Sequence, residues 1–356
     1  MQLLYFRGMI IHKKWLVIWL AFGLFFIVVQ VLLGGITRLT GSGLSITEWE
    51  VVGGILPPLN EAEWGVAFQK YKTIPQFELV NIDMQLSGFK FIYFWEWMHR
   101  LWARLLGAIF FVPFLYFLYR GWLTKSWIRL LLSAMLLGAA QGLVGWLMVV
   151  SGLKDNIYVR HTNLTQHLLM ACVLFGYMVW LYWLAVDEWR GTGETSGLVM
   201  LKRPLFVLMC IVVVQLAYGG FMAGQRAAID YPTYPLMNGK LVPDVLYNSS
   251  ISWYANFIDN KTMIQFIHRL LPWLIVSFVF YLYFKIEAIQ ISNRERGIFH
   301  VMVGVIIIQI LLGVLTITNS DKGHVPLLWG VLHQLMGVVF FIVTVSAYYH
   351  SSKKAG

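Results

Sequence analysis

Residues 15–36 read WLVIWLAFGLFFIVVQVLLGGI, a run without a single charged side chain. A helix of about 20 such residues crosses the hydrocarbon layer of a bilayer, and the run is too long for the core of a cleaved signal peptide. Seven more apolar runs follow at 91–118, 128–150, 161–186, 204–224, 262–284, 297–318 and 325–349. The sequence therefore predicts an all-α integral membrane protein with eight transmembrane helices.

The composition supports this class and explains the basic charge. Charged residues make up 12% of the 356 residues, whereas a soluble domain carries about 25%. The net charge of +10 would suit a nucleic-acid partner, but it is distributed unevenly across the predicted membrane. With the N-terminus inside, the inner segments hold fourteen Lys and Arg against five Asp and Glu, and the outer loops hold ten against eleven. The positive-inside rule thus predicts two cytoplasmic termini and no nucleic-acid partner.

The chain also contains an internal repeat. The matching segments are Val28-Val29-Gln30 with Gly34-Gly35 and Val213-Val214-Gln215 with Gly219-Gly220, Met98–Leu101 and Ile267–Leu270, Gln141 with Gly145 and Gln309 with Gly313, and His167 and His333. Because each unit has an even number of spans, both halves enter the membrane from the same side. We expect two parallel-repeat four-helix bundles related by a pseudo-two-fold axis along the membrane normal.

The repeat divides the chain into three parts. Residues 1–186 form the predicted first bundle and 204–356 the second, joined by a cytoplasmic linker at 187–203. The outer loops at 37–90 and 225–261 are long and rich in Trp, Tyr, Pro and Gly, so we expect them to fold as caps on the outer face.

Four of the nine histidines occupy equivalent places in the two halves: His99, His167, His268 and His333. They lie at a similar depth, roughly 9–12 Å past the outer ends of their predicted spans. Two imidazoles that face each other at one depth provide the two axial ligands of a haem. We therefore predict one haem site between His99 and His167 and another between His268 and His333. Two alternatives stay open: His161 replaces His167 as the ligand or covers the site beside it, and each histidine is simply a buried residue bonded to a neighbouring helix.

Five charged residues near these histidines are further candidates. Arg100 and Arg269 each follow a predicted ligand, and Arg38 and Arg226 follow the paired glycines. A guanidinium group can pair with a haem propionate through two hydrogen bonds, although arginines near the interface also simply extend towards water. Glu96 is the only carboxylate in a predicted span and lies three residues before the first ligand, which indicates a functional role. An ion pair with Arg100, four residues later, is the alternative.

Longer motifs surround these residues. They are GGITRLTGSGLS at 34–45, Trp49, Pro57-Pro58, Glu63-Trp64, Phe68, Tyr71, FKFI at 89–92, EWMHR at 96–100, QGLVGW at 141–146, Ala223-Gly224, PLMNG at 235–239, QFIHR at 265–269 and His333-Gln334. In these motifs the chain resembles the haem A synthases of bacteria and mitochondria over nearly its whole length. It departs from the family at Ala228, where a glycine is expected, and in lacking the outer-loop cysteine pair of some members, since Cys172 and Cys210 lie in apolar runs.

The resemblance implies oxidation of the C8 methyl of haem O to a formyl group, through successive hydroxylations, to give haem A. It implies that substrate haem binds between His99 and His167 and that haem b binds in the second half. Glu96 would be catalytic, since the equivalent position in the second half is Gln265. A b-type electron-transfer cytochrome and a transporter are the rival classes. The cytochrome would need neither the first outer-loop motif nor the unmatched Glu96, and a transporter would have broken helices and polar groups near the midplane rather than in the outer third.

The resemblance also implies partners and a location. Haem O synthase would donate the substrate, an external carrier the electrons, and cytochrome oxidase would receive haem A. The protein is expected in the lipid of a bacterial inner membrane, with homo-oligomerisation left open.

Overall fold

The computed structural model describes residues 2–48, 53–153, 156–191, 196–320 and 323–353, with side chains from residue 12 onwards. Trp49 of the outer-loop motif, and Glu194 and Lys354 of the charge count, lie outside this description. The α-helices within it are α1 (Gln2–Leu39), α2 (Glu61–Lys72), α3 (Pro75–Val80), α4 (Leu86–Tyr119), α5 (Lys125–Leu153), α6 (His161–Arg190), α7 (Lys202–Gln225), α8 (Ala255–Ile258), α9 (Lys261–Glu287), α10 (Asn293–Thr318) and α11 (Leu327–Ser351).

Eight of the described helices are long and apolar enough to span a membrane, which confirms the predicted fold class. Most extend several residues past the apolar run that predicted them; α4, for example, begins at Leu86 rather than 91. Polar caps, which hydropathy does not detect, set some of these ends. Ser292 and Glu295 form a capping box at the start of α10. The Asn260 side chain accepts hydrogen bonds from backbone amides in the first turn of α9.

Four helices form the centre of the protein. α6 packs on α1 and α7, and α11 packs on all three. Fully buried leucines fill this centre, including Leu20, Leu181, Leu205 and Leu208. α4 and α5 lie along the α1–α6 edge, and α9 and α10 along the α7–α11 edge. This arrangement is consistent with two four-helix bundles that share a central wall.

The closeness of packing varies around each bundle. α4 packs more closely on α1 than on α5, and α10 packs more closely on α11 than on α9. The apolar faces of α4 and α5 also remain largely exposed within the chain. Each bundle is therefore closed least tightly on the side away from the shared wall.

The α6–α7 contact depends on two glycines of α7. A methyl group added at Gly220 would lie 2.8 Å from Oγ1 of Thr165, and one at Gly224 would lie 2.5 Å from Cβ of His161. Small residues four apart on one face let membrane helices approach closely. The two halves of the chain thus meet backbone against backbone where α7 ends and α6 begins.

The first outer loop is folded, as predicted. α2 and α3 enclose an aromatic cluster with the start of α4, in which Tyr71 and Phe89 are fully buried. Burial raises the pKa of the Tyr71 phenol, whose oxygen accepts from Asn81 and whose proton is donated to Gln76. The second loop also has internal structure. The side chain of the fully buried Asn256 accepts from the backbone amide of Asn248 and donates to its backbone carbonyl.

Candidate functional site

Each of the four predicted ligands faces a glutamine on the preceding spanning helix. Nε2 of the glutamine lies 3.1 Å from Nδ1 in the pairs Gln30–His99 and Gln215–His268, 3.2 Å from Nδ1 in Gln141–His167, and 3.5 Å from Nε2 in Gln309–His333. In the first three pairs the same nitrogen also donates to the backbone carbonyl of the histidine. The same local unit therefore occurs four times in the described chain.

A glycine four residues after each glutamine lies beside the imidazole. A methyl group added there would meet Cε1 of the histidine at 3.2 Å for Gly34, 2.8 Å for Gly145, 3.4 Å for Gly219 and 2.9 Å for Gly313. Residues four apart share one face of a helix, so the glutamine bonds the imidazole while the glycine makes room for it.

The rings of His268 and His333 lie opposite each other in the second half. Their centroids are 6.3 Å apart and their planes cross at 79°. Metal–imidazole bonds are about 2 Å long, so one iron held between two such rings would separate their centroids by roughly 6 Å. The pair therefore fits the two axial positions of a haem. Within the described residues, no group of three or more His, Cys, Asp or Glu side chains is placed to hold a metal ion by itself.

Glu96 has only 3% of its surface exposed and is fully engaged. Oε2 accepts from the Ser45 hydroxyl at 2.7 Å and the Ile46 amide at 2.9 Å, and Oε1 pairs with Arg100 at 2.6 Å. Arg100 also donates to the carbonyls of Ile46 and Glu48. The structure thus contains the i,i+4 ion pair, and the pair anchors the loop after α1 over the outer part of α4.

The equivalent positions of the second half bind their own loop without a carboxylate. Gln265 and Arg269 both donate to the carbonyl of Tyr231. Nε of Arg269 is buried without a hydrogen-bond partner. The two halves therefore use the same geometry, but only the first half has a negative charge there.

Arg38 and Arg226 reach across to the opposite half. Arg38 on α1 donates to the carbonyl of Ala223 on α7, and the Arg226 guanidinium lies 4.0 Å from the ring centre of Tyr158. His161 also joins the halves, with Nε2 at 2.9 Å from Asp259. These three side chains thus bind protein groups of the opposite half.

A family model describes residues 17–345 as a cytochrome oxidase assembly protein. The chain belongs to this family. It is 38% identical to a haem A synthase of Flavobacterium johnsoniae over 340 residues, 95% of this chain and 97% of the relative. A haem A synthase of Nitrosomonas eutropha is 38% identical over 91% of this chain and 90% of its own, and one of Paracoccus denitrificans is 35% identical over 94% and 87%. The resemblance seen in the sequence is confirmed.

The sequence did not reveal every important residue of this assembly protein. We predicted the histidines but gave no role to the glutamines that bond them. A signal was present, since Gln-x-x-x-Gly occurs in all four helices that precede a histidine helix. What the sequence lacked was the rotation of each helix, which decides whether that face meets the imidazole or the lipid.

Proposed function

We propose that the protein is a haem A synthase, which oxidises the C8 methyl of haem O to a formyl group. The observation that carries the proposal is the family match from residue 17 to 345, and the paired histidines add support. A b-type electron-transfer cytochrome would need the histidines, but it would not need a buried acid beside one pair.

Substrate haem O would bind between His99 and His167, and haem b between His268 and His333. Glu96 favours this order, because the first half has a carboxylate where the second has Gln265. Bound haem b would supply an iron centre that exchanges electrons. The two bundles would then correspond to 1–186 and 204–356, one haem site in each.

Glu96 would act on the substrate side as a fixed negative charge. It lies one helical turn before His99, and three donors hold it in place. In that position it can stabilise positive charge that develops as the methyl carbon is oxidised, or accept the proton released there. Ser45 and Ile46 would keep the carboxylate from rotating away.

Four arginines at the outer ends of the helices would pair with the propionates of the two haems. Arg269 has the strongest support, because its buried Nε lacks a partner. Arg38, Arg100 and Arg226 already bind backbone or aromatic groups. Arg38 and Arg226 have further N–H groups that could donate to a propionate, since a guanidinium has five.

The other components would lie outside the chain. A haem O synthase would provide the substrate, an external carrier the electrons, and a cytochrome oxidase would receive the product. Both termini would face the cytoplasm of a bacterial cell.

Pigment analysis tests the proposal. The chain is expressed in cells that make haem O but lack their own haem A synthase, and the non-covalently bound pigment is extracted and chromatographed. We expect haem A or a hydroxylated intermediate from the wild type. Haem B alone would contradict the proposal and favour the electron-transfer cytochrome.

Single ligand variants assign the two sites. His99→Ala should lose the substrate haem and His268→Ala the haem b, each with the other haem retained. If neither variant loses a haem, the ligand assignment is wrong.

A further inference from the structure

The glutamines beside the predicted ligands each have a buried acceptor without a donor. Oε1 has no hydrogen-bond partner in Gln30, Gln141, Gln215 and Gln309. A buried polar atom left without a hydrogen-bond partner destabilises the folded protein. Oε1 of Gln265 is unsatisfied as well, but only these four glutamines face a predicted ligand, and an iron-bound imidazole would bring a new donor close to them.

Iron binding would create that donor. An imidazole that binds iron through Nε2 carries its remaining proton on Nδ1, and this N–H needs an acceptor. Metal-binding histidines almost always donate it to a carboxylate, a carbonyl or a water. Gln215 faces Nδ1 of His268 at 3.1 Å. Half a turn of its carboxamide would replace the donor Nε2 with the acceptor Oε1. That turn would exchange the present hydrogen bond from Nε2 to the His268 carbonyl for the new one from Nδ1–H.

His333 differs from His268 in this respect. Its Nδ1 lies 3.1 Å from the backbone carbonyl oxygen of Gln309, and the Gln309 side chain faces Nε2 instead. The backbone therefore already supplies the acceptor for His333. One proposed haem site thus contains a ligand that depends on a glutamine side chain and a ligand that does not.

We propose that Gln215 is a positioning residue for His268, whose Nδ1–H it accepts through Oε1 when Nε2 binds iron, while the Gln309 backbone does this for His333. The inference rests on the proposed haem b site. Nε2 of Gln30 and of Gln141 lies close to both ring nitrogens of His99 and His167, so the role is assigned to Gln215 alone. An accepted Nδ1–H makes the imidazole a stronger ligand and favours oxidised iron.

Three variants of the full chain test this inference: Gln215→Leu, Gln215→Glu and the matched Gln309→Leu. Each is made in the His99→Ala background, so that only the second site is loaded. The midpoint potential of the bound haem and its rate of transfer to an excess of apo-globin are measured. We expect Gln215→Leu to raise the potential and speed haem loss by about 10–100-fold. Gln215→Glu should lower the potential because a carboxylate is a stronger acceptor, and Gln309→Leu should change both values much less.

The outcomes separate the inference from the proposed function. Opposite shifts for Leu and Glu at position 215 would support the inference, since misfolding cannot produce both. Equal effects of Gln215→Leu and Gln309→Leu, or shifts of the same sign for Leu and Glu, would overturn it. If the His99→Ala parent binds no haem with the spectrum of two imidazole ligands, the proposed haem b site itself is wrong.

Discussion

The space beside the imidazole differs among the four glutamine–histidine units. The distance from a methyl group added at the neighbouring glycine to the ring shows how much room each unit leaves. A methyl group at Gly313 would press on His333 at 2.9 Å, whereas one at Gly219 would make an ordinary contact with His268 at 3.4 Å. Close-packed interiors accommodate the second change more easily than the first. The two positions therefore form a matched pair in one site.

We predict that Gly313→Ala displaces His333 and reduces the haem bound at the proposed second site, while Gly219→Ala retains it. The haem-to-protein ratio of the purified variants, measured by pyridine haemochrome, checks this. Equal haem contents in the two variants would show that the glycines do not set the position of the ligands.

We predict that Glu96→Gln still binds haem O but makes much less haem A. The amide keeps the size of the side chain and can still accept from Ser45 or Ile46, but it removes the charge that pairs with Arg100. Product analysis alongside haem O content gives the measurement. Full haem A output with normal haem O binding would exclude a catalytic role for this carboxylate.

Contacts within one helix were easier to predict from the sequence than contacts between helices. The Glu96–Arg100 ion pair follows from the i,i+4 spacing and was foreseen as one of two alternatives. The cross-half contacts of Arg38 and Arg226 were not foreseen, because they depend on how two distant segments meet. Their proximity to the paired glycines indicated importance without indicating the partner.

At the level of helices, the α6–α7 contact is limited by backbone approach rather than by side-chain size. Gly224 lies against the first turn of α6, with a built methyl 2.6 Å from Cα of His161, whereas nothing lies within 4 Å of a methyl at Gly107 on α4. Neither hydropathy nor the repeat distinguishes these glycines. Only the packed structure shows which one is confined.

We predict that Gly224→Ala destabilises the protein by about 1–3 kcal/mol, the usual effect of overpacking, and that Gly107→Ala does not. Thermal unfolding of both variants in the same detergent, followed by aggregation or by haem release, measures the difference. A Gly224→Ala protein as stable as the wild type would contradict the close approach of α6 and α7.

For the whole molecule, the number of spans was predictable and their arrangement was only partly so. Long apolar runs are sufficient to predict the number of spans. The hydrocarbon core does not tolerate unsatisfied backbone groups, so each such run must cross it as a helix. Predicting the two bundles required the internal repeat as well. The shared wall of α1, α6, α7 and α11 became visible only in the structure. Orientation depends on the charges of the connecting segments, so it can be tested without knowing the packing.

We predict that alkaline phosphatase fused after Gly356 is inactive and that green fluorescent protein fused there is fluorescent, since both outcomes require a cytoplasmic C-terminus. The same phosphatase inserted in the loop at 225–261 should be active, which provides the control. The reverse pattern of activities would show that the proposed topology is wrong and that the C-terminus lies outside.

The loosely packed side between α4 and α5 has a consequence for how the substrate arrives. A substrate haem that binds between His99 and His167, as proposed, would enter the first bundle sideways from the lipid, without crossing water. Its capture would then be a search in two dimensions. The rate of such a search depends on how many donor molecules occupy each unit of membrane area, and it slows as the bilayer becomes more viscous.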